Sequence, residues 1–118
     1  MSKHVLIADD EPNIVISLEF LMKREGHRVT VARDGDTALE TIRRERPDLV
    51  LLDVMMPGKS GFEVCQAVRG DDALVSVKIL MLSAKGRDTD LAKGSALGAD
   101  AYMTKPFSTK ELAAKVAE

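Results

Sequence analysis

The chain has no tryptophan, one tyrosine, one cysteine and two histidines in 118 residues, and each scarcity closes off a class of function. Cys65, alone, can form no internal disulfide and supplies no thiolate cluster for a metal, which suits a reducing cytoplasm. His4 and His27 are too few and too separated for a tetrahedral zinc site. Long hydrophobic runs are missing as well: none approaches the roughly 20 residues of a spanning helix. The opening "MSKHVLIADDEP" meets charge after an apolar stretch too short for a signal-peptide core. A formal net charge of -2, with 31% charged and 45% hydrophobic residues, argues against disorder and against general attraction to nucleic acid. What remains is an ordinary soluble chain with one core expected and no linker, repeat or low-complexity tract to divide residues 1–118.

Five short apolar runs alternate with helix-like segments: Val5–Ala8, Arg28–Ala32, Leu49–Leu52, Val77–Leu82 and Ala101–Met103. Strands spaced by helices predict an α/β domain with a parallel sheet and right-handed crossovers. The intervening segments carry apolar residues at helical spacing, as in Ile14, Leu18 and Leu21, then Ala38, Leu39 and Ile42, then Val64, Cys65 and Val68. Each therefore presents one face to the sheet. Pro12 suits a first helical turn, Asp34 can cap the second helix, and Ser108 with Glu111 has capping-box spacing for the last. The segment before the fifth strand, "RDTDLAKGSALGAD", is the weak one, because Gly94 lies inside it. An interior glycine costs about 0.5–1 kcal/mol relative to alanine, which makes this helix a candidate moving part.

In an open parallel sheet, ligands bind beyond the carboxyl ends of the strands. The residues at those positions are Asp9, Asp10 and Glu11 after the first run, Asp53 after the third, Ser83 and Ala84 after the fourth, and Thr104, Lys105 and Pro106 after the fifth. Clustered carboxylates repel one another unless a cation neutralises them, and hard oxygen ligands with open positions suit Mg²⁺, or Mn²⁺ in its place. The same cation and the Lys105 ammonium would attract a phosphoryl group, making Asp53 a candidate nucleophile that forms an aspartyl phosphate. Singly, each residue has a plainer reading: Asp9 and Asp10 as helix caps, Asp53 and Ser83 as turn residues, Lys105 as a solvated lysine, Tyr102 as a half-buried strand aromatic. Only their joint placement favours chemistry. A phosphatase with an aspartyl-phosphate intermediate would also place acids here, but usually as Asp-x-Asp where this chain reads Asp9-Asp10-Glu11. A flavodoxin-like FMN carrier would need a phosphate loop in the first turn and more rings to sandwich a flavin.

Taken together, the acidic pair Asp9–Asp10, the stretch "DVMMP" from Asp53 to Pro57 with Gly61 following, Ser83-Ala84, Tyr102 and Lys105-Pro106-Phe107 resemble the receiver domain of two-component response regulators. The resemblance covers essentially the whole chain as a single domain. It implies a flavodoxin-like, doubly wound (βα)5 three-layer sandwich whose five-stranded parallel sheet runs in order 2-1-3-4-5, setting Asp10 beside Asp53. It implies that Asp53 is the phosphoacceptor and that Asp10, Asp53 and the backbone carbonyl of Met55 ligate Mg²⁺ (or Mn²⁺), with Asp9 acting through water. Lys105 would pair with the phosphoryl group, Ser83 would hydrogen-bond it, and the Lys105-Pro106 bond would be cis. Ser83 and Tyr102 would form the switch that reshapes the face of the fourth helix, fifth strand and fifth helix. The implied partners are a sensor histidine kinase or phosphotransfer protein and an output domain or protein, with a phosphorylation-dependent homodimer as a further arrangement. Such a domain is not an enzyme but promotes its own phosphotransfer and autodephosphorylation. A phosphate-independent pseudo-receiver is the alternative on the same fold.

Overall fold

The computed structural model describes residues 3–84, 97–105 and 109–117. Its strands are β1 (His4–Ala8), β2 (Arg28–Ala32), β3 (Leu49–Asp53), β4 (Lys78–Ala84) and β5 (Ala101–Lys105). They form one parallel sheet in the order β2-β1-β3-β4-β5, which is the order and the flavodoxin-like architecture expected from the resemblance. Three helices, α1 (Pro12–Arg24), α2 (Gly35–Glu45) and α3 (Gly61–Arg69), and a C-terminal helix (Thr109–Ala117) cover its two faces. The weak helix expected before β5 falls mostly in 85–96, outside the described residues, as do Pro106, with its expected cis bond, and Ser108, with its expected capping box.

A period of two sorts the strand side chains between two cores. Val5, Ile7, Leu49, Leu51, Leu80 and Leu82 pack with Val15, Leu18, Leu21 and Met22 of α1 and with Leu112 and Val116 of the C-terminal helix. Their alternates Leu6, Ala8, Val50, Leu52, Ile79 and Met81 pack with Ala38, Leu39 and Ile42 of α2 and Val64, Cys65 and Val68 of α3. Every residue of β1 and β3 is buried, as befits central parallel strands covered on both sides. On α1 the buried stripe is completed by Val15 and Met22, while Ile14 sits at its border only partly covered.

The helix ends follow local chemistry. Pro12 opens α1, where a missing N–H costs nothing. The Asp34 carboxylate accepts the Thr37 amide at 2.7 Å and starts α2. Ser60 and Glu63 form a reciprocal capping box on α3, a signal written in the sequence as Ser-x-x-Glu. Helix α2 ends on Arg46 with φ 46°, a left-handed conformation that disfavours any side chain. Arg46→Gly is therefore expected to raise stability by about 1 kcal/mol, measured as a higher urea midpoint at unchanged slope.

The strands outrun their apolar cores. Hydropathy ends them at Leu52, Leu82 and Met103, yet backbone pairing continues through Asp53↔Leu82, Ser83↔Thr104 and Ala84↔Lys105, because ladder hydrogen bonds are indifferent to side-chain polarity. At the other end β4 begins one residue later than expected. Val77 belongs instead to the turn after the short 3₁₀ segment Asp72–Leu74, its amide bonded to the Leu74 carbonyl at 3.1 Å. The Arg69 guanidinium, at the end of α3, donates to the carbonyls of Gly98 and Val77, each at 2.8 Å, and to the Asp100 carboxylate. Asp100 also accepts the Ile79 amide at 2.8 Å, so the chain entering β5 is moored to α3 and to the start of β4.

Candidate functional site

The carboxyl edge of the sheet gathers the expected residues. Asp9 follows β1, its amide bonded to the Ala32 carbonyl at 3.1 Å, and its side chain is wholly buried. Asp53 ends β3 and is 6% exposed, and the β1–β3 register, Ala8↔Leu52, brings the residues that follow Ala8 level with it. Asp10 alone of the three reaches solvent, and carboxylate oxygens of Asp9, Asp10 and Asp53 lie within 4.8 Å of one another.

Lys105 closes the cluster from the end of β5. Its Nζ donates to Asp9 Oδ2 at 2.9 Å and stands 3.4 Å from Asp53 Oδ1. Glu11, for which the sequence suggested no separate role, contributes an outer oxygen 3.8 Å from the same ammonium. Asp9 Oδ1 accepts the Glu11 amide at 3.0 Å, an Asx turn that fixes the carboxylate's orientation. Ser83 is buried on β4, one residue beyond the Leu82 that pairs with Asp53. Tyr102, half-buried on β5, packs against the core beneath α2 and α3.

The loop after β3 is held tightly. The Val54 amide bonds to the Leu82 carbonyl at 3.1 Å, and the Gly61 amide returns to the Val54 carbonyl at 2.8 Å. A Cβ on Gly61 would lie 2.2 Å from the Asp53 carbonyl oxygen, so this close approach requires glycine. Met55 meets the site through its backbone: its amide dipole favours the charged form of the Asp53 carboxylate, while the side chain is exposed.

Burial, and then the neighbouring Asp9 charge, push the Asp53 pKa up to about 6, against the opposing pull of Lys105 and the Met55 amide. Burial alone would lower the pKa of Lys105. The hydrogen bond that Lys105 donates to Asp9 and the charges of Asp53, Asp9 and Glu11 outweigh it and hold the ammonium above its ordinary value. Three clustered carboxylates facing one ammonium leave an excess of negative charge on hard oxygen donors. That donor set fits Mg²⁺ or Mn²⁺.

Residues 5–117 match the family model described as the response regulator receiver domain. The chain belongs to that family. Among solved structures, this receiver domain is similar to a candidate response regulator from Chloroflexus aurantiacus J-10-fl, with 34% identity and a TM-score of 0.94 over 98% of this chain and 95% of that one. It is also similar to the chemotaxis protein CheY4 of Vibrio cholerae, with 31% identity and a TM-score of 0.90 over 99% and 98% of the two chains. A third likeness is the receiver domain of the sensor histidine kinase PA1611 from Pseudomonas aeruginosa PAO1, which has a magnesium ion coordinated in its active-site cleft. That match has 27% identity and a TM-score of 0.89 over 98% and 95% of the chains. As a receiver domain the protein is a phosphorylation-activated switch of two-component signalling, a signalling domain rather than a conventional enzyme. Among the described residues no helix is long and apolar enough to cross a membrane.

Proposed function

We propose that residues 1–118 act as one receiver domain in which Asp53 takes a phosphoryl group from a sensor histidine kinase or a phosphotransfer protein. The observation that carries this reading is the position of Lys105 Nζ, 2.9 Å from Asp9 and 3.4 Å from Asp53, at the edge where the three carboxylates meet. An Asp53 oxygen attacks phosphorus in line, forming the P–O bond as the P–N bond to the donor imidazole breaks, and the departing imidazole takes up a proton. With its pKa raised only to about 6, Asp53 is still ionised and nucleophilic at neutral pH. Lys105 offsets charge on the phosphoryl oxygens and Ser83 hydrogen-bonds one of them. Asp10, Asp53 and the Met55 carbonyl would hold Mg²⁺ or Mn²⁺, with Asp9 acting through water. That cation, when bound, supplies further neutralisation of the transferring oxygens. The same arrangement lets water remove the phosphoryl group in autodephosphorylation.

The register offers a route for the signal. Ser83 pairs with Thr104 and Met81 with Tyr102, so Ser83 and Tyr102 lie on one face of adjacent strands, two residues apart along the ladder. A phosphoryl group adds roughly one and a half to two negative charges, which draw the Ser83 hydroxyl toward Asp53 and let Tyr102 turn inward. The face that β5 and the C-terminal helix form with the helix expected before β5 then changes shape toward an output domain, a partner protein or a second copy of the chain. The setting for such a relay is the cytoplasm, and the domain itself does not contact nucleic acid.

Incubation with Mg²⁺ and acetyl phosphate tests the assignment by mass spectrometry. A gain of one phosphate is expected, abolished by Asp53→Ala and retained by Asp9→Ala at saturating Mg²⁺. Label on Asp9 or Asp10 would favour a phosphatase, and a folded but unlabelled chain would identify a phosphate-independent pseudo-receiver.

A further inference from the structure

We propose that the turn joining β2 to α2, which gives no side chain to the site, is the strut that fixes the separation of its two halves, with Gly35 as the positioning residue. The inference rests on the reading of the site given above. One half is Asp9 and Asp10 after β1; the other is Asp53 with the loop 54–60 that carries Met55.

Four consecutive residues reach both halves. The Ala32 carbonyl accepts the Asp9 amide at 3.1 Å, and three residues later the Gly35 amide donates to the Pro57 carbonyl, also at 3.1 Å. Asp36 adds an ion pair to Lys59 at 3.5 Å. Gly58, at φ 73°, passes so close to Asp36 that a Cβ there would stand 2.6 Å from its carboxylate.

The contact is tightest at Gly35 itself. A Cβ on this residue would lie 1.9 Å from the Lys59 carbonyl oxygen and 2.6 Å from the carbonyl carbon. Both are backbone atoms, so no side-chain rotation relieves the clash, and the loop must retreat by roughly 1 Å or more to regain van der Waals contact. The far end of the loop cannot share that retreat, because Gly61 is bonded to Val54 and wedged against Asp53. The displacement therefore falls on Pro57 to Lys59 and passes through Met56 to the Met55 backbone, the group that closes the metal site beside Asp53. Residues that orient ligands without touching the metal typically set its affinity by about 10–100-fold.

The test is a titration of Mn²⁺ into the full chain, followed by electron paramagnetic resonance, at a temperature where thermal melts show each variant folded. Gly35→Ala is expected to weaken Mn²⁺ binding by about tenfold or more. Ile42→Ala, which removes buried bulk from the same helix but none of the contacts that Gly35 and Asp36 make to the loop, controls for lost stability and is expected to bind Mn²⁺ within about twofold of wild type. Asp36→Ala, on the exposed side of the strut, is expected to weaken binding by roughly threefold and decides the matter alone if Gly35→Ala fails to fold. Wild-type affinity in both Gly35→Ala and Asp36→Ala overturns the strut while leaving the site intact. A wild-type chain that binds no Mn²⁺ overturns the site reading and the strut with it.

Discussion

Asp53→Asn is expected to stabilise the metal-free protein at neutral pH by on the order of 1–2 kcal/mol while ending phosphoryl acceptance. The gain comes from removing one of two buried carboxylates that share a single ammonium. The sign follows from linkage. An aspartate titrates near 4 in the unfolded chain, whereas burial and Asp9 hold Asp53 at about 6 in the folded one. Between those values the native state keeps a proton that the unfolded state has released. Wild-type stability from this group is thus fully present below about pH 4 and lost as the pH rises through about 6. Asparagine carries no such dependence, so wild type and variant should converge in acid and diverge toward neutrality. Urea denaturation in the presence of a chelator, repeated across this range, measures the difference. Saturating Mg²⁺ should narrow the gap by stabilising the wild type, since only the native site binds it. A variant no more stable than wild type at neutral pH would mean that Lys105 already compensates both acids.

Lys105→Met acts in the opposite direction and more strongly. Methionine keeps much of the apolar stem but deletes the cation that Asp9 and Asp53 share, leaving a wholly buried carboxylate without its partner. Removing one member of a buried ion pair costs about 3–5 kcal/mol, and a loss of that size is expected in metal-free protein. The penalty should shrink as the pH falls through about 6, where Asp53 takes up its proton, and shrink again when Mg²⁺ replaces the missing charge. A loss under about 1 kcal/mol by chemical denaturation would place Lys105 in the class of solvated surface pairs.

The parallel sheet and the convergence of Asp9, Asp53 and Lys105 were legible because alternating apolar runs and helical stripes leave few topologies, whereas the strand order followed from the resemblance to receiver domains. Once parallel pairing is fixed, the residues past each run must meet at one edge. Strand limits were less legible. Asp53, Ser83 and Lys105 are polar, so hydropathy excluded them, although their backbones belong to the ladder. The part played by the Met55 amide was hidden because it is a backbone donor, and a side-chain pattern does not encode it. Glu11 was visible as a third acid but not as a neighbour of Lys105, a distance that depends on how the lysine crosses the edge. The β2–α2 turn was hidden for a different reason. Gly35 reads as an ordinary residue after a capping aspartate, and only the packed loop shows what a side chain there would strike.

The Arg69 anchor has a mechanical consequence. Three hydrogen bonds from one guanidinium, to Gly98, Val77 and Asp100, clamp the approach to β5 at the end of the sheet opposite Lys105. Sliding β5 along β4 by one residue would break the two that hold its own approach, to Gly98 and Asp100, and turn Tyr102 and Met103 to the wrong faces. The strand is therefore a fixed rail. Under the proposed switch, a change at Asp53 would reach Tyr102 as rotation of side chains on a backbone held in register.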